Sequence, residues 1–490
     1  MRKLLKTFNG FSLCFGTSEK SVRARRSLGG VLLIITALLF LNPLEVSAQD
    51  RPEKLAEEIQ KQLRSSVISP YLYDSYSRHD YELLWVGKDQ LSPAGQEIYA
   101  LIRDAGEVGL VPEDYNYSEI NRLWMDARYY HPDEFPAAQS AEMEILLTEG
   151  FTRYVSDLTT GLLSQTTYAR AQLAGDITPE IPELLNAARN NESVEPILTR
   201  MQPDNPQYWK LLEFYSKAYN GDYQLDYDEK QELAANLEKM RWYSQRTLGE
   251  RYVYINLPSF TMQVYEAEEI VFSTKTIIGT ENHPTPEMSK LITHMTLNPR
   301  WYMPRSIAIR QHLPKIQEDL EHLSRGNYRV YEQTESGRFE EVDPEKIEWE
   351  QKNRENFDYY LWQDAGLYNA LGRVVFRFPN NQAIFMHDTP DKHLFDQEKR
   401  AESSGCIRIE NPMELAHYFL QDQPEWDGER IEEITSRENE IRVDLKEPVP
   451  IHIVYYTAAV NSSGELEFFE DLYYLMYPLK MALKRLENDN

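Results

Sequence analysis

Tyr252-Val253-Tyr254-Ile255-Asn256-Leu257, Phe260-Thr261-Met262-Gln263-Val264-Tyr265 and Ile270-Val271-Phe272 succeed one another, with Pro258-Ser259 and the acidic stretch 266–269 between them. Short runs of β-branched and aromatic residues separated by turn formers read as consecutive strands. Further strands are expected at 291–297, 373–378, 383–387 and 451–456, so residues 249–456 form a β-rich domain. Between Met303 and Leu371 this rhythm lapses: 306–323 reads as a helix, and 328–366 is charged and aromatic. Long insertions in compact domains are commonly functional loops or lids, so a capping lobe is expected at about 305–370, over the sheet edge.

Upstream of Gly249 the period is helical. Pro52 followed by Glu53, Glu57 and Glu58 suits a first helical turn, and Ser92-Pro93-Ala94-Gly95-Gln96-Glu97 ahead of Ile98, Leu101 and Ile102 reads as another helix start. The stretches 142–162 and 209–219 continue the pattern, and their apolar stripes read as core. The expected organisation is α+β and multidomain: a mostly helical scaffold over 49–248, the β-rich domain over 249–456, and a C-terminal segment over 457–490. A helix at 472–486 in that last segment is expected to pack back on the scaffold.

The first 48 residues stand apart. Basic residues ending at Arg23, Arg25 and Arg26 precede an apolar run of 14 residues from Leu28 to Leu41, and Val46-Ser47-Ala48 supplies a small-residue cleavage signal. The run is shorter than the ~20 residues a membrane-crossing helix needs, so a signal peptide is favoured over an anchor, and either way the bulk of the chain is expected to leave the cytoplasm. Membrane association would come only through this segment if it stays uncleaved. Of 490 residues, 52 are Lys or Arg and 79 are Asp or Glu; without the first 48 the balance is 45 to 77, a formal charge of −32. Such a surface repels nucleic acid and anionic lipid at long range, so no nucleic-acid partner is expected.

The two cysteines are Cys14, in the export segment, and Cys406. In an oxidising compartment a lone thiol is a buried bystander, an intermolecular link or a reactive group. Cys406 sits in Ser403-Ser404-Gly405-Cys406-Ile407-Arg408, where Gly405 permits a tight turn that can aim nearby amides at a developing oxyanion. A thiol needs a base, and Ile384-Phe385-Met386-His387-Asp388-Thr389-Pro390 carries a strand pattern that ends on a histidine. A strand end holds His387 rigidly while exposing it, and 18 residues separate it from Cys406, enough for a returning loop.

These residues resemble the L,D-transpeptidases with a YkuD-type catalytic domain. That family carries a histidine, about fifteen residues, then Ser/Thr-His-Gly-Cys, an apolar residue and Asn or Arg. Here His387 is followed by 15 residues and then Ser403 to Arg408, with Ser404 where most members have a second histidine. The serine is similar to the large periplasmic YcbB-like subgroup, as are Asn298-Pro299-Arg300-Trp301-Tyr302-Met303-Pro304, Asn236-Leu237-Glu238-Lys239-Met240-Arg241-Trp242 and Leu110-Val111-Pro112-Glu113-Asp114-Tyr115. The peptidoglycan-binding helical module frequent in that subgroup is expected to be absent, since about 35 residues separate Arg200 from Glu238. The resemblance implies a mixed β-sandwich catalytic domain that needs no cofactor or metal.

It also implies chemistry on peptidoglycan tetrapeptide stems, which serve as donor and acceptor. Cys406 attacks the carbonyl between the L-centre of meso-diaminopimelate and terminal D-alanine, and the thioester passes to a second stem's side-chain amine, giving a 3-3 cross-link. His387 activates the thiol and protonates the leaving amine, while amides near Ser404, Gly405 and Cys406 hold the oxyanion. Arg408 shares a strand face with Cys406 and has two readings: a stem carboxylate ligand, or an ion pair with Glu402 or Glu410. Trp301 is a candidate to line the cleft, with lobe packing as its other reading. His387, Asp388, Asp391 and His393 crowd together without a regular ligand face, so no metal site is assigned and Asp388 is expected to shape the turn. The rival functions are a wall-binding scaffold without activity and a cysteine peptidase, an L,D-carboxypeptidase in which water replaces the acceptor amine.

Overall fold

The structure is a computed structural model that describes residues 50–65, 70–87, 91–130, 135–168, 180–243, 248–267, 269–366, 368–436 and 439–489. The expected export segment over 1–48, with Cys14, lies outside the described residues. Proximity of Cα atoms divides the chain into two compact units. One holds the described residues up to Pro203 with Leu212–Leu225 and the described residues from Leu486 onward, and the other holds Asp204–Leu211 with Asp226–Arg485.

Eight helices carry the first unit: α1 (Asp50–Ser65), α2 (Pro70–Ser77), α3 (Pro93–Arg103), α4 (Tyr117–Ala127), α5 (Ala137–Thr160), α6 (Ile181–Arg189), α7 (Glu195–Met201) and α8 (Pro206–Tyr219), the last shared with the second unit. Ser92 caps α3 by accepting from the Gly95 N–H at 3.0 Å. Helix α5 is buried along most of its length and receives α1, α3 and α4. Its Glu144 is a buried carboxylate that accepts from the N–H groups of Leu84, Trp85 and Val86 at 2.7, 2.9 and 3.1 Å and from the Tyr76 hydroxyl at 2.7 Å. An irregular segment with no ladder of its own thus finds its acceptors on one side chain.

The second unit starts before its strands do. Helix α9 (Tyr227–Arg241) opens with a reciprocal capping box between Asp226 and Glu229. Asn236 accepts from the Thr457 N–H at 2.9 Å and donates to its hydroxyl at 3.1 Å, and the Lys239 ammonium donates to the Tyr455 carbonyl at 3.0 Å. The Asn236-to-Trp242 motif therefore fastens α9 to the sheet unit. The change of period at Gly249 marks the first strand, whereas tertiary contacts bring α9 in as well.

The strands in chain order are β1 (Arg251–Asn256), β2 (Thr261–Glu266), β3 (Glu269–Gly279), β4 (Met288–Leu297), β5 (Trp301–Tyr302), β6 (Tyr328–Gln333), β7 (Phe339–Glu341), β8 (Tyr359–Gln363), β9 (Val374–Arg377), β10 (Met386–His387), β11 (Ala401–Ser403), β12 (Ile407–Ile409), β13 (Ile441–Val454), β14 (Ala458–Val460) and β15 (Leu466–Phe468). Nine of them form one mixed sheet in the order β11-β3-β12-β10-β9-β4-β13-β1-β2, and β2 pairs again with β3. The long β3 thus pairs at both ends of the order and closes the sheet on itself, where two separate packed sheets were expected. The β1–β13, β10–β12 and β11–β3 pairs are parallel.

Residues directly opposite one another share a face, so register separates the two surfaces of the sheet. One carries Met295, Phe376, Met386 and Ile407, all buried, and meets helix α13 (Pro412–Leu420), whose Phe419 ring lies 5.7 Å from that of Phe376. The opposite surface carries His294, Arg377, Val375, His387 and Arg408. Helix α14 (Gly428–Thr435) follows α13, and Asp427 caps it.

Between β4 and β9 the chain builds its own small core. Strands β5-β8-β6-β7 form a separate antiparallel sheet, and Met303, Leu313, Ile316, Leu323, Val330, Phe357 and Leu361 cluster beneath it. The expected helix over 306–323 is broken into α10 (Arg305–Ile307), a π-helical turn (Ala308–His312), α11 (Leu313–Glu318) and α12 (Glu321–Arg325). Pro314 near the start of α11 cannot donate a backbone hydrogen bond to a continuous helix, which agrees with a break there. The expected strand over 383–387 shortens to β10 for a similar local reason. Ala383 has φ +56, and the Asn380 amide bonds the Ile384 backbone at 2.7 and 3.1 Å, so the chain turns before it can pair.

The C-terminal helix α15 (Tyr477–Asp489) begins later than position 472 because the Asp471 carboxylate accepts from the N–H groups of Leu475, Met476 and Tyr477, holding that stretch as a turn. Lys480 of α15 pairs with Glu232 of α9. Among the described residues no helix is long and apolar enough to cross a membrane.

Candidate functional site

His387 and Cys406 come together through the parallel β10–β12 pair. Met386 lies opposite Ile407 and His387 opposite Arg408, while the Ile407 N–H donates to the Phe385 carbonyl at 3.1 Å. Cys406 is two residues before Arg408, so its thiol emerges on the face that carries His387. The half-buried Cys406 Sγ lies 3.7 Å from the Ala383 carbonyl. Burial pushes the thiol pKa up, against the opposing influence of the Phe385 backbone and the Arg377 and Arg408 guanidiniums.

The imidazole tautomer follows from its partner. His387 Nδ1 bonds the Asp388 carbonyl, which only accepts, so Nδ1 carries the hydrogen and Nε2 keeps its lone pair. Burial, with Arg408 beside it, lowers the His387 pKa to about 3. The ring is therefore neutral above that value and able to take a proton. The Asp388 carboxylate shapes the turn after β10: it accepts from the N–H groups of Arg373 at 2.8 Å and Thr389 at 2.7 Å, and pairs with Lys392 at 2.8 Å. Gly372, with φ +61, is required there because a Cβ would fall 2.3 Å from that carboxyl carbon.

The turn bearing Cys406 is held from both sides. Gly405 has φ +112, a conformation that disfavours any side chain. Its N–H donates to Ser403 Oγ at 3.0 Å, and the Ser403 hydroxyl donates to the Cys406 carbonyl at 2.6 Å. The Gly405 carbonyl accepts from the Thr285 hydroxyl at 2.8 Å, and Thr285 Oγ1 in turn accepts from the Gly279 N–H at 2.9 Å. In a trans peptide the N–H points opposite to the C=O. Anchoring the Gly405 carbonyl on Thr285 therefore aims the Cys406 N–H away from Thr285. No described residue accepts from that N–H, whereas the Gly405 N–H, also expected to hold an oxyanion, is engaged by Ser403.

Three positioning residues had no sequence signal of their own. Thr285 is 2% exposed. Tyr473 donates from its hydroxyl to the Gly279 carbonyl at 2.6 Å and accepts from the Thr285 N–H at 3.3 Å, which ties the C-terminal segment to this turn. A Cβ on Gly279 would sit 2.0 Å from the His283 carbonyl oxygen and 3.1 Å from Gly405 Cα, so only glycine allows β3 this close to the Cys406 turn. The inserted segment reaches the same loop: an Arg310 Nη1 donates to His283 Nε2 at 2.7 Å.

The remaining candidates fall in different places. The Ser404 side chain is exposed and makes no hydrogen bond among the described residues; its neighbour Ser403 holds the turn. Arg408 pairs with Asp391 at 3.4 Å, and neither Glu402 nor Glu410 bonds it, because its side chain extends past His387 toward the 391 turn. Trp301 packs against the small core of the insertion, edge-on to His312 at 6.2 Å, and its ring contact is with that segment instead of Cys406.

Residues 250–444 match the YkuD family, the L,D-transpeptidase catalytic domain, and residues 70–214 match a scaffold domain. The chain thus carries a stretch similar to an L,D-transpeptidase catalytic domain and, ahead of it, a stretch similar to a scaffold domain. A curated Haemophilus influenzae protein, named as a provisional L,D-transpeptidase, is 29% identical over 243 residues, a match that spans 50% of this chain and 47% of that protein. Among solved structures, an L,D-transpeptidase from Mycobacterium smegmatis is 14% identical over 42% of this chain and 58% of its own, with a TM-score of 0.21. An Enterococcus faecium L,D-transpeptidase is 10% identical over 46% of this chain and 64% of its own, with a TM-score of 0.18.

Proposed function

We propose that this protein is an exported peptidoglycan L,D-transpeptidase that forms 3-3 cross-links through a thioester on Cys406, with tetrapeptide stems as donor and acceptor. Residues 1–48 would direct it to the periplasm. The observation that carries the reading is the shared strand face of Cys406 and His387, with His387 Nε2 and the Cys406 N–H both without a hydrogen-bond partner among the described residues.

In the first half-reaction Nε2 takes the thiol proton as Sγ bonds to the carbonyl carbon of diaminopimelate's L-centre. The oxygen gains negative charge opposite the Cys406 N–H. Collapse breaks the C–N bond, and the imidazolium returns its proton to the departing D-alanine amine. The neutral side-chain amine of a second stem then attacks the thioester, Nε2 takes its proton, and Sγ leaves to be reprotonated. One amide bond replaces another, with no net consumption of water or cofactor.

Product analysis tests this. Purified protein incubated with a disaccharide tetrapeptide is expected to release D-alanine and yield dimers linked between two diaminopimelate residues. Release of D-alanine with free tripeptide alone would assign the hydrolytic reaction, and binding without either product would assign a wall-binding role.

A further inference from the structure

Two guanidiniums flank the nucleophile without carboxylates that match them. Arg408 lies opposite His387 in the β10–β12 pair; its Nε is buried with no partner, and its one ion pair is the 3.4 Å contact with the exposed Asp391. Arg377 ends β9 on the same sheet face, opposite His294 of β4. Its guanidinium carbon lies 4.4 Å from the Phe385 ring centroid, and that ring lies 5.6 Å from the His387 ring. No described residue gives Arg377 a hydrogen bond or an ion pair. Glu440, the acidic side chain that faces it, accepts instead from the Arg300 N–H at 2.8 Å.

This arrangement is costly unless something occupies it. A partly desolvated guanidinium that cannot lose its proton needs an anionic partner, and two of them together repel one another. The chain carries 79 acidic residues against 52 basic ones, so carboxylates were available to neutralise this face. Both arginines are partly buried on the sheet face beside Cys406, and burial disfavours their charged form. An arginine fork matches a carboxylate in shape as well as charge.

We propose that Arg377 and Arg408 form a two-pronged clamp for a donor peptide with two free carboxylates, one on each side of the scissile bond. Arg408, beside the base that protonates the leaving amine, receives the terminal carboxylate of the departing residue. Arg377, across the Phe385 ring from His387, receives the second carboxylate at the far end of the acyl residue's side chain. The assignment rests on the transpeptidase reading, and it adds a selectivity: the donor's diaminopimelate side-chain carboxylate must be free.

The test compares two tetrapeptide stems that differ only in that side-chain group, one a carboxylate and one a primary amide, by kcat/KM for D-alanine release. The full-length protein is expected to prefer the acid stem by roughly 10- to 100-fold, the range of a charge-assisted fork. In Arg377→Met the preference falls to about one, largely through KM, and Arg377→Lys restores part of it. Equal use of both stems by the wild type overturns the clamp and leaves the transpeptidase reading intact; so does a preference that Arg377→Met leaves unchanged. Failure of the wild type on both stems overturns the transpeptidase reading, and the clamp falls with it.

Discussion

Replacing Thr285 by valine removes one hydroxyl without changing the shape of the side chain. Thr285 is 2% exposed, and its hydroxyl accepts from the Gly279 N–H and donates to the Gly405 carbonyl, so the substitution leaves a buried donor and a buried acceptor unpaired. Each such group costs about 1–3 kcal/mol, so stability should fall by roughly 2–6 kcal/mol. The catalytic consequence is separate. Freed from Thr285, the Gly405–Cys406 peptide can rotate, and the Cys406 N–H loses its aim at the oxyanion. Losing one such donor costs about 100- to 1,000-fold in the chemical step. The assay is single-turnover acylation of Cys406 by a tetrapeptide stem or a carbapenem, followed by intact mass, with denaturant unfolding measured in parallel. Thr285→Ser keeps the hydroxyl and should acylate within a few-fold of wild type. If Thr285→Val is destabilised yet acylates at the wild-type rate, the turn is not aimed by this bond and the reasoning is refuted.

Other consequences are equally direct. The His387 pKa is lowered from 6.5 to about 3, so the basic form persists through mildly acidic pH, and kcat/KM for acylation should be flat across pH 5–7; an inflection near 6.5 would contradict the buried neutral imidazole. The same shift contributes stability that is fully present above about 6.5 and is lost as pH falls toward about 3, because the unfolded chain binds the proton first; urea titrations of wild type and His387→Gln should diverge in that window. Gly279→Ala drives a methyl to within 2.0 Å of the His283 carbonyl, so the 280–285 loop must move; acylation should slow with the thermal midpoint lowered, and a wild-type rate would show that the loop gives way freely. Glu144→Leu strands three backbone N–H groups in the helical unit and should lower stability by at least about 3 kcal/mol, measurable by circular dichroism.

Much of the fold was legible because local pattern and burial agree. The runs at 252–257 and 260–265 are β1 and β2, which join under Pro258-Ser259 with partners from Arg251–Glu266 to Asn256–Thr261. The strand expected at 451–456 is the end of the longer β13, which starts at Ile441 and passes Pro448 and Pro450 where its register with β4 shifts between Asp444 and Val449. At the site, Cys406, His387 and Gly405 carry rare chemistry or rare backbone geometry, and both leave a trace in one sequence. Thr285 and Tyr473 are common residue types whose work depends on a close approach between β3, the Cys406 turn and a segment 188 residues downstream of Thr285. Arg377 was hidden for the same reason, since its role follows from sheet register and not from its neighbours in the chain.

The claim at the centre of this account is that the Cys406 thiol is the nucleophile and His387 its base. It is tested most directly by intact-mass measurement of the protein mixed with a tetrapeptide stem and quenched in acid within the first turnover. The expected result is a mass increase equal to the stem less D-alanine on wild-type protein, mapped to Cys406, and its loss in Cys406→Ala and His387→Gln variants that remain folded. An adduct that persists in Cys406→Ala, or D-alanine released by folded wild-type protein with no adduct at any quench time, would contradict it.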